Sequence, residues 1–159
     1  TRPDQLRNTR FASEQAPVPF DWWLASESDL SADRIDGAGG NGALAFQAAN
    51  AVQGPLARQL LMMQPGSRYR LRGSVAELDQ PARTRPFWRV TCAGSKQQIA
   101  SVDLPAADTA PVGFATDFLV PADCPVQSVE LVARASDEVE GVRGSLQGVS
   151  IDKLASAGE

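Results

Sequence analysis

Ser67-Arg68-Tyr69-Arg70-Leu71-Arg72-Gly73-Ser74-Val75 is the stretch whose reading decides the fold. Tyr69, Leu71, Gly73 and Val75 fall on one side of a two-residue period, and Arg68, Arg70, Arg72 and Ser74 on the other. Such alternation puts one face of a β-strand in a core and the other in water. Gln64-Pro65-Gly66 just before it signals a turn, so Arg58-Gln59-Leu60-Leu61-Met62-Met63 reads as the adjoining strand.

Comparable runs lie on either side: Val18 to Leu24, Ala43 to Phe46, Phe87 to Cys92, Val112 to Val120, Ser128 to Ala133 and Leu146 to Ile151. Loops containing glycine or proline separate most of them. Many short strands at this spacing predict an all-β fold, a sandwich or barrel of antiparallel strands. Gln47 to Leu61 has some helical character, but Gly54-Pro55 interrupts it, so it reads as loop followed by strand.

The 159 residues are enough for one domain with a sizeable core. With 43% apolar and 21% charged residues, the balance is that of a globular chain rather than a disordered one. A formal net charge of −4 provides no general field for nucleic acid or an anionic membrane. The small acidic cluster Asp137-Glu138 with Glu140 reads as a solvated loop. No apolar run is long enough to cross a bilayer, and no apolar stretch of signal-peptide type follows the opening arginines. Residues 1–159 are expected to form a single domain. Its linker-like ends, 1–5 and 155–159, and its start at Thr1 point to a module of a longer chain.

Cys92 falls in an expected strand and Cys124 in the turn-like Pro121-Ala122-Asp123-Cys124-Pro125. Their wide spacing lacks a CxxC motif, and no histidine completes a zinc site. A structural disulfide between Cys92 and Cys124 is the expected reading, with two buried thiols as its alternative. The disulfide would imply an oxidising compartment such as a bacterial periplasm.

The order of landmarks resembles the carbohydrate-binding-module jelly rolls, a galactose-binding-like β-sandwich class. Leu6-Arg7-Asn8-Thr9-Arg10-Phe11 is similar to the Leu-x-Asn-x-x-Phe opening of those domains, with a tryptophan (Trp22 or Trp23) soon after. Leu60 to Leu71 matches a strand pair around a Pro-Gly turn, and Gln147-Gly148-Val149-Ser150-Ile151 stands where the last strand is expected. The resemblance implies a jelly roll across nearly the whole chain and a binding role. Two positions depart from it: Ala12 stands where relatives often have Glu, and Gln147 where they often have Asp. Both weaken the structural calcium site that relatives often carry, because calcium wants several oxygen ligands. Asp152 and Glu14 would substitute only with a shift of the backbone.

The absence of histidine removes Ser-His-Asp and Cys-His catalysis. The carboxylates Asp21, Glu77, Asp117 and Glu130 come from separate segments, and nothing in the sequence pairs them for glycoside hydrolysis. Gly37-Ala38-Gly39-Gly40-Asn41-Gly42 lacks the lysine and the helix of a phosphate loop. No catalytic residue, metal ligand or cofactor is expected.

Aromatic and arginine residues remain. Flat rings suit the apolar face of a sugar, and Trp22, Trp23, Phe87 and Trp88 are the candidates. Neighbours on a strand point opposite ways, so one of each pair should be buried. Arg70, Arg72 and Arg89 would form a cationic patch if folding brought them together; guanidinium groups suit carboxylate, sulfate or phosphate. Otherwise they would pair across strands with Glu130, Asp117 or Glu77.

The expected function is a non-catalytic binding module of an exported bacterial protein, periplasmic or secreted. Its ligand-binding residues would be drawn from Arg70, Arg72, Arg89, Trp22, Trp23 and Trp88. The partner would be a polysaccharide, with no nucleic acid and no membrane insertion. The alternative is an interaction or scaffolding domain docking another envelope protein, through that face or through the loop Ala48 to Val52. A jelly-roll carbohydrate-active enzyme stands third.

Overall fold

The computed structural model describes residues 4–7, 9, 11, 22–36, 42–78, 84–135 and 141–154. Among them the chain forms eleven strands. They are β1 (Trp23–Leu24), β2 (Ser26–Glu27), β3 (Leu30–Asp36), β4 (Gly42–Ala48), β5 (Gly54–Leu61), β6 (Arg68–Ala76), β7 (Phe87–Cys92), β8 (Gln98–Asp103), β9 (Val112–Leu119), β10 (Gln127–Ala133) and β11 (Val142–Lys153). They pair antiparallel into two sheets, one of order β1-β5-β10-β7-β8 and one of order β2-β3-β4-β11-β6-β9. The expected all-β jelly-roll sandwich is the observed fold.

Burial follows the period-2 pattern of the sequence. On β6, Tyr69, Leu71 and Val75 are buried while Arg68, Arg70 and Arg72 are exposed. Between the sheets, Trp88, Tyr69, Leu44, Leu56, Leu131 and Leu146 are all fully buried in a shared core. Gly73 shares the side of Tyr69, Leu71 and Val75, and the Phe114 ring fills its side-chain space; a Cβ there would meet Phe114 Cζ at 2.8 Å.

One expectation about pairing is corrected. Arg58 to Met63 and Ser67 to Val75 do not adjoin: β5 pairs with β1 and β10, and β6 with β11 and β9 in the opposite sheet. The Gln64 to Ser67 turn, closed by Ser67 N–H donating to Gln64 O (3.2 Å), carries the chain across the sandwich. Each strand has an apolar side, and its place in one of the two sheets turns that side to the common core. β3 and β8 carry too many polar residues to stand out in the sequence, and β8 is an edge strand with much of its surface exposed.

The opening segment is part of the core. Leu6 and Phe11 are buried, and Phe11 meets Trp22 at 5.6 Å between ring centroids, with Trp22 in turn 5.8 Å from Trp88. Gln59, buried on β5, holds the segment by both ends of its amide: Arg7 N–H donates to Oε1 (2.6 Å) and Nε2 donates to Arg7 O (3.0 Å). This accounts for Leu6 and Phe11 of the opening motif, while Asn8, Ala12 and Glu14 lie outside the described residues.

Cys92 and Cys124 are bridged, with Cα atoms 5.5 Å apart. The bridge ties the end of β7 to the connection that crosses from β9 to β10. Buried Gln127 reinforces the same corner by accepting from Met63 N–H (2.6 Å) and donating to Cys124 O (2.6 Å).

Two outcomes follow from this packing. The bridge closes a span of 32 residues, so replacing both cysteines by alanine should lower unfolding free energy by about 3–4 kcal/mol in urea titrations. Gly73→Ala should cost about 1–3 kcal/mol through overpacking against Phe114. Gly113→Ala, whose Cβ would meet nothing nearer than 3.8 Å, should leave the urea midpoint close to that of the parent.

Candidate functional site

Because the inner faces are committed to the core, chemistry is left to the outer faces. Strand register places one row straight across the five-stranded sheet: Trp23 opposite Arg58, Arg58 opposite Glu130, Glu130 opposite Arg89, and Arg89 opposite Ser101. Four strand spacings make this row about 19 Å long.

The row is held by charge. Glu130 Oε2 accepts from Arg58 Nε (2.9 Å) and Nη2 (2.8 Å), and its Oε1 accepts from Arg89 Nη2 (3.1 Å). The Glu130 side chain is only 9% exposed, against 42% for Arg58 and 33% for Arg89. A carboxylate so enclosed needs paired donors to offset its desolvation, and the two guanidinium groups supply them. The Arg58 guanidinium carbon also lies 5.2 Å from the Trp23 ring centroid. That cation–π contact, worth about 0.5–1 kcal/mol at an exposed site, steadies the indole.

Beside this row runs a groove of about 530 Å³, lined by Arg58, Arg89, Glu130, Ser128, Thr91 and Gln98 with the turn that carries Lys96. Trp23 stands across Arg58 from it, 38% exposed. Phe87, two residues from Arg89 on the same face, is covered by Arg134, whose guanidinium carbon is 4.5 Å from its ring. Trp23 is therefore the exposed aromatic of this face among the described residues.

Arg70 and Arg72 lie elsewhere, on the outer face of the six-stranded sheet. Arg70 grips Asp117 with two bonds, Nε to Oδ1 (2.7 Å) and Nη2 to Oδ2 (3.0 Å). The hydrogen bond from Arg70, aided by the charges of Arg70 and Arg68, holds the Asp117 carboxyl below its ordinary range, and the same bond raises Arg70. Arg72 reaches Ser150 Oγ (3.4 Å) and Asp152 (3.4 Å). Both arginines border a broad, open trough floored by small residues such as Gly113, Ala115 and Ser74.

Arg70, Arg72 and Arg89 thus form no single patch, because β6 and β7 belong to different sheets. They pair across strands with Asp117, Asp152 and Glu130 instead. Trp22 and Trp88 are 3% and 0% exposed and pack on one another, so neither offers a ring face to a ligand. Trp23 and Arg89 are the candidates that share the groove face. Arg58, Glu130 and Lys96 carry no binding signal in the sequence; the alternation of β5 and β10 marks the first two as outward, but only register joins them.

Of the carboxylates, Asp117 and Glu130 stand on opposite sheets, and Glu77 lines a separate hollow with Asp33 and Arg143. Asp21 lies outside the described residues. Among the described residues no three of His, Cys, Asp and Glu cluster as metal ligands. The loop Ala48 to Val52 is a tight turn, with Val52 N–H donating to Ala49 O (3.1 Å) and Val52 packed against the core.

No protein-family model matches the chain, and no curated protein sequence does. Solved structures do. A CBM4 module aligns over 94% of this chain and 99% of its own, with TM-score 0.61 and 16% identity. A Stig cyclase, Fisc, from Fischerella sp. TAU aligns over 95% of this chain and 96% of its own, with TM-score 0.67 and 10% identity. The enzymatically active domain of bacteriophage CBA120 tailspike protein 4 aligns over 84% of this chain at TM-score 0.62 and 10% identity, and the match spans only 19% of that larger chain. At such identities the likeness concerns the fold. The chain is a jelly-roll β-sandwich of the kind seen in carbohydrate-binding modules.

Proposed function

We propose that this chain is a non-catalytic carbohydrate-binding module of an exported bacterial protein. It takes a polysaccharide along the outer face of the five-stranded sheet. The observation that carries this reading is the exposed Trp23 indole, steadied by Arg58 at the side of a polar groove. An apolar ring flanked by fixed hydrogen-bonding groups is what a sugar needs: a flat surface for its C–H face and partners for its hydroxyls. Ser128, Thr91 and Gln98 supply hydroxyl and amide groups in that groove. The CBM4 fold likeness supports the reading.

The non-catalytic part rests on the chemistry present. The chain has no histidine, and Asp117 and Glu130 are each taken up by arginine on opposite sheets. Export is supported by the Cys92–Cys124 bridge, since such bonds persist in oxidising compartments.

Affinity electrophoresis against a polysaccharide panel tests the function. Retardation is expected on at least one polymer, and Trp23→Ala should weaken it about tenfold or more, as losses of a stacking aromatic do. Arg72→Ala on the opposite sheet should leave it unchanged. Absence of retardation on every polymer would remove the carbohydrate reading.

A further inference from the structure

The charge of the groove narrows the class of sugar. Arg58, Arg89 and Lys96 line it against one carboxylate, Glu130, so it is locally cationic on a chain of net charge −4. Both Glu130 oxygens are already engaged by the arginines. The arginines are not used up in return. Arg58 bonds Glu130 through Nε and Nη2, leaving Nη1 over, while Arg89 is held by Nη2 alone and likewise keeps Nη1; its Nε is buried and takes no part. Lys96 has no acidic partner among the described residues, and it sits at a positive φ of 61° on the β7–β8 turn.

The charged groups of the groove therefore offer spare donors and little spare acceptor capacity. Guanidinium and ammonium groups only donate, whereas a sugar hydroxyl both donates and accepts. A neutral sugar would leave this match half used. A carboxylate or sulfate group, which only accepts, fits it, and the planar guanidinium fork suits such oxygens. The cations are also held close to the ring. Arg58 touches Trp23 and neighbours Glu130, which Arg89 shares, so a ring stacked on Trp23 would bring its next residues over the cationic row.

We infer that the ligand of this face is an anionic polysaccharide, its acidic groups received by Arg58, Arg89 and Lys96. This rests on the carbohydrate-binding reading above and deepens it. The shared chemistry is a negatively charged group on a sugar ring. Uronic acids and sulfate esters are its two sources.

The experiment compares polygalacturonate and dextran sulfate with carboxyl-reduced polygalacturonate and dextran, by affinity electrophoresis and isothermal titration. Binding is expected for at least one charged polymer and not for its neutral counterpart, weakening as salt rises from 50 to about 500 mM because screening shortens the reach of exposed charges. The uronate and sulfate arms separate the two sources. Arg89→Gln or Lys96→Ala should each lower affinity about tenfold, in line with the loss of a charge-assisted hydrogen bond. Arg72→Gln, on the other sheet, should not. Equal binding of neutral polymers, still dependent on Trp23, would overturn the charge inference while leaving the carbohydrate reading in place. Binding that falls as much with Arg72→Gln as with Arg89→Gln would overturn it as a general charge effect. No binding to any polymer would remove both.

Discussion

A β-strand has two faces, and in this sandwich one of them is owed to the core. Trp88 and Leu131 from one sheet and Tyr69, Leu44 and Leu146 from the other are fully buried between them, and burial of apolar surface is the main term that favours the fold. Everything functional must then be written on the opposite, period-2 positions. Arg89 is available because Trp88 and Val90 on either side of it are buried. Trp23 is exposed for the same reason that Trp22 is not.

The same constraint explains why charged residues on these faces are paired. Strands about 4.8 Å apart bring outward side chains into contact with their cross-strand partners. Glu130 lies between Arg58 and Arg89, and Asp117 lies beside Arg70. The two clusters differ in setting. Asp117 and Arg70 are well exposed, so their ion pair adds little to stability. Glu130 is almost enclosed, and losing either arginine would leave its charge poorly compensated. The first is a surface pairing on an open trough. The second organises a groove that keeps unused guanidinium donors.

The disulfide and the opening segment serve that groove from outside it. Cys92 ends the strand that carries Arg89 and Thr91, and its bond to Cys124 secures the turn bearing Lys96. Gln59 and the Phe11–Trp22–Trp88 contact anchor the opening segment to the inner side of the sheet that bears the groove. Rigid backing of this kind holds the groove's side chains in place without help from a ligand.

The sequence alone determined what each residue could be locally. The alternation over Ser67 to Val75 named the inward and outward faces of β6, and adjacency alone separated Trp22 from Trp23 and Phe87 from Trp88. The lack of histidine removed whole classes of catalysis, and the landmark order carried the jelly roll. Local pattern cannot state which strand lies beside which, because pairing joins residues far apart in the chain: Arg58 and Glu130 are separated by 72 positions. Tertiary structure therefore decided that β5 and β6 belong to opposite sheets rather than pair. It split Arg70 and Arg72 from Arg89, withdrew Trp22 and Trp88 into the core, and assembled Trp23, Arg58, Glu130 and Arg89 into one row. The physical reason is register: a side chain's face is set by its own strand, but its neighbours are set by how the sheets close over a common core.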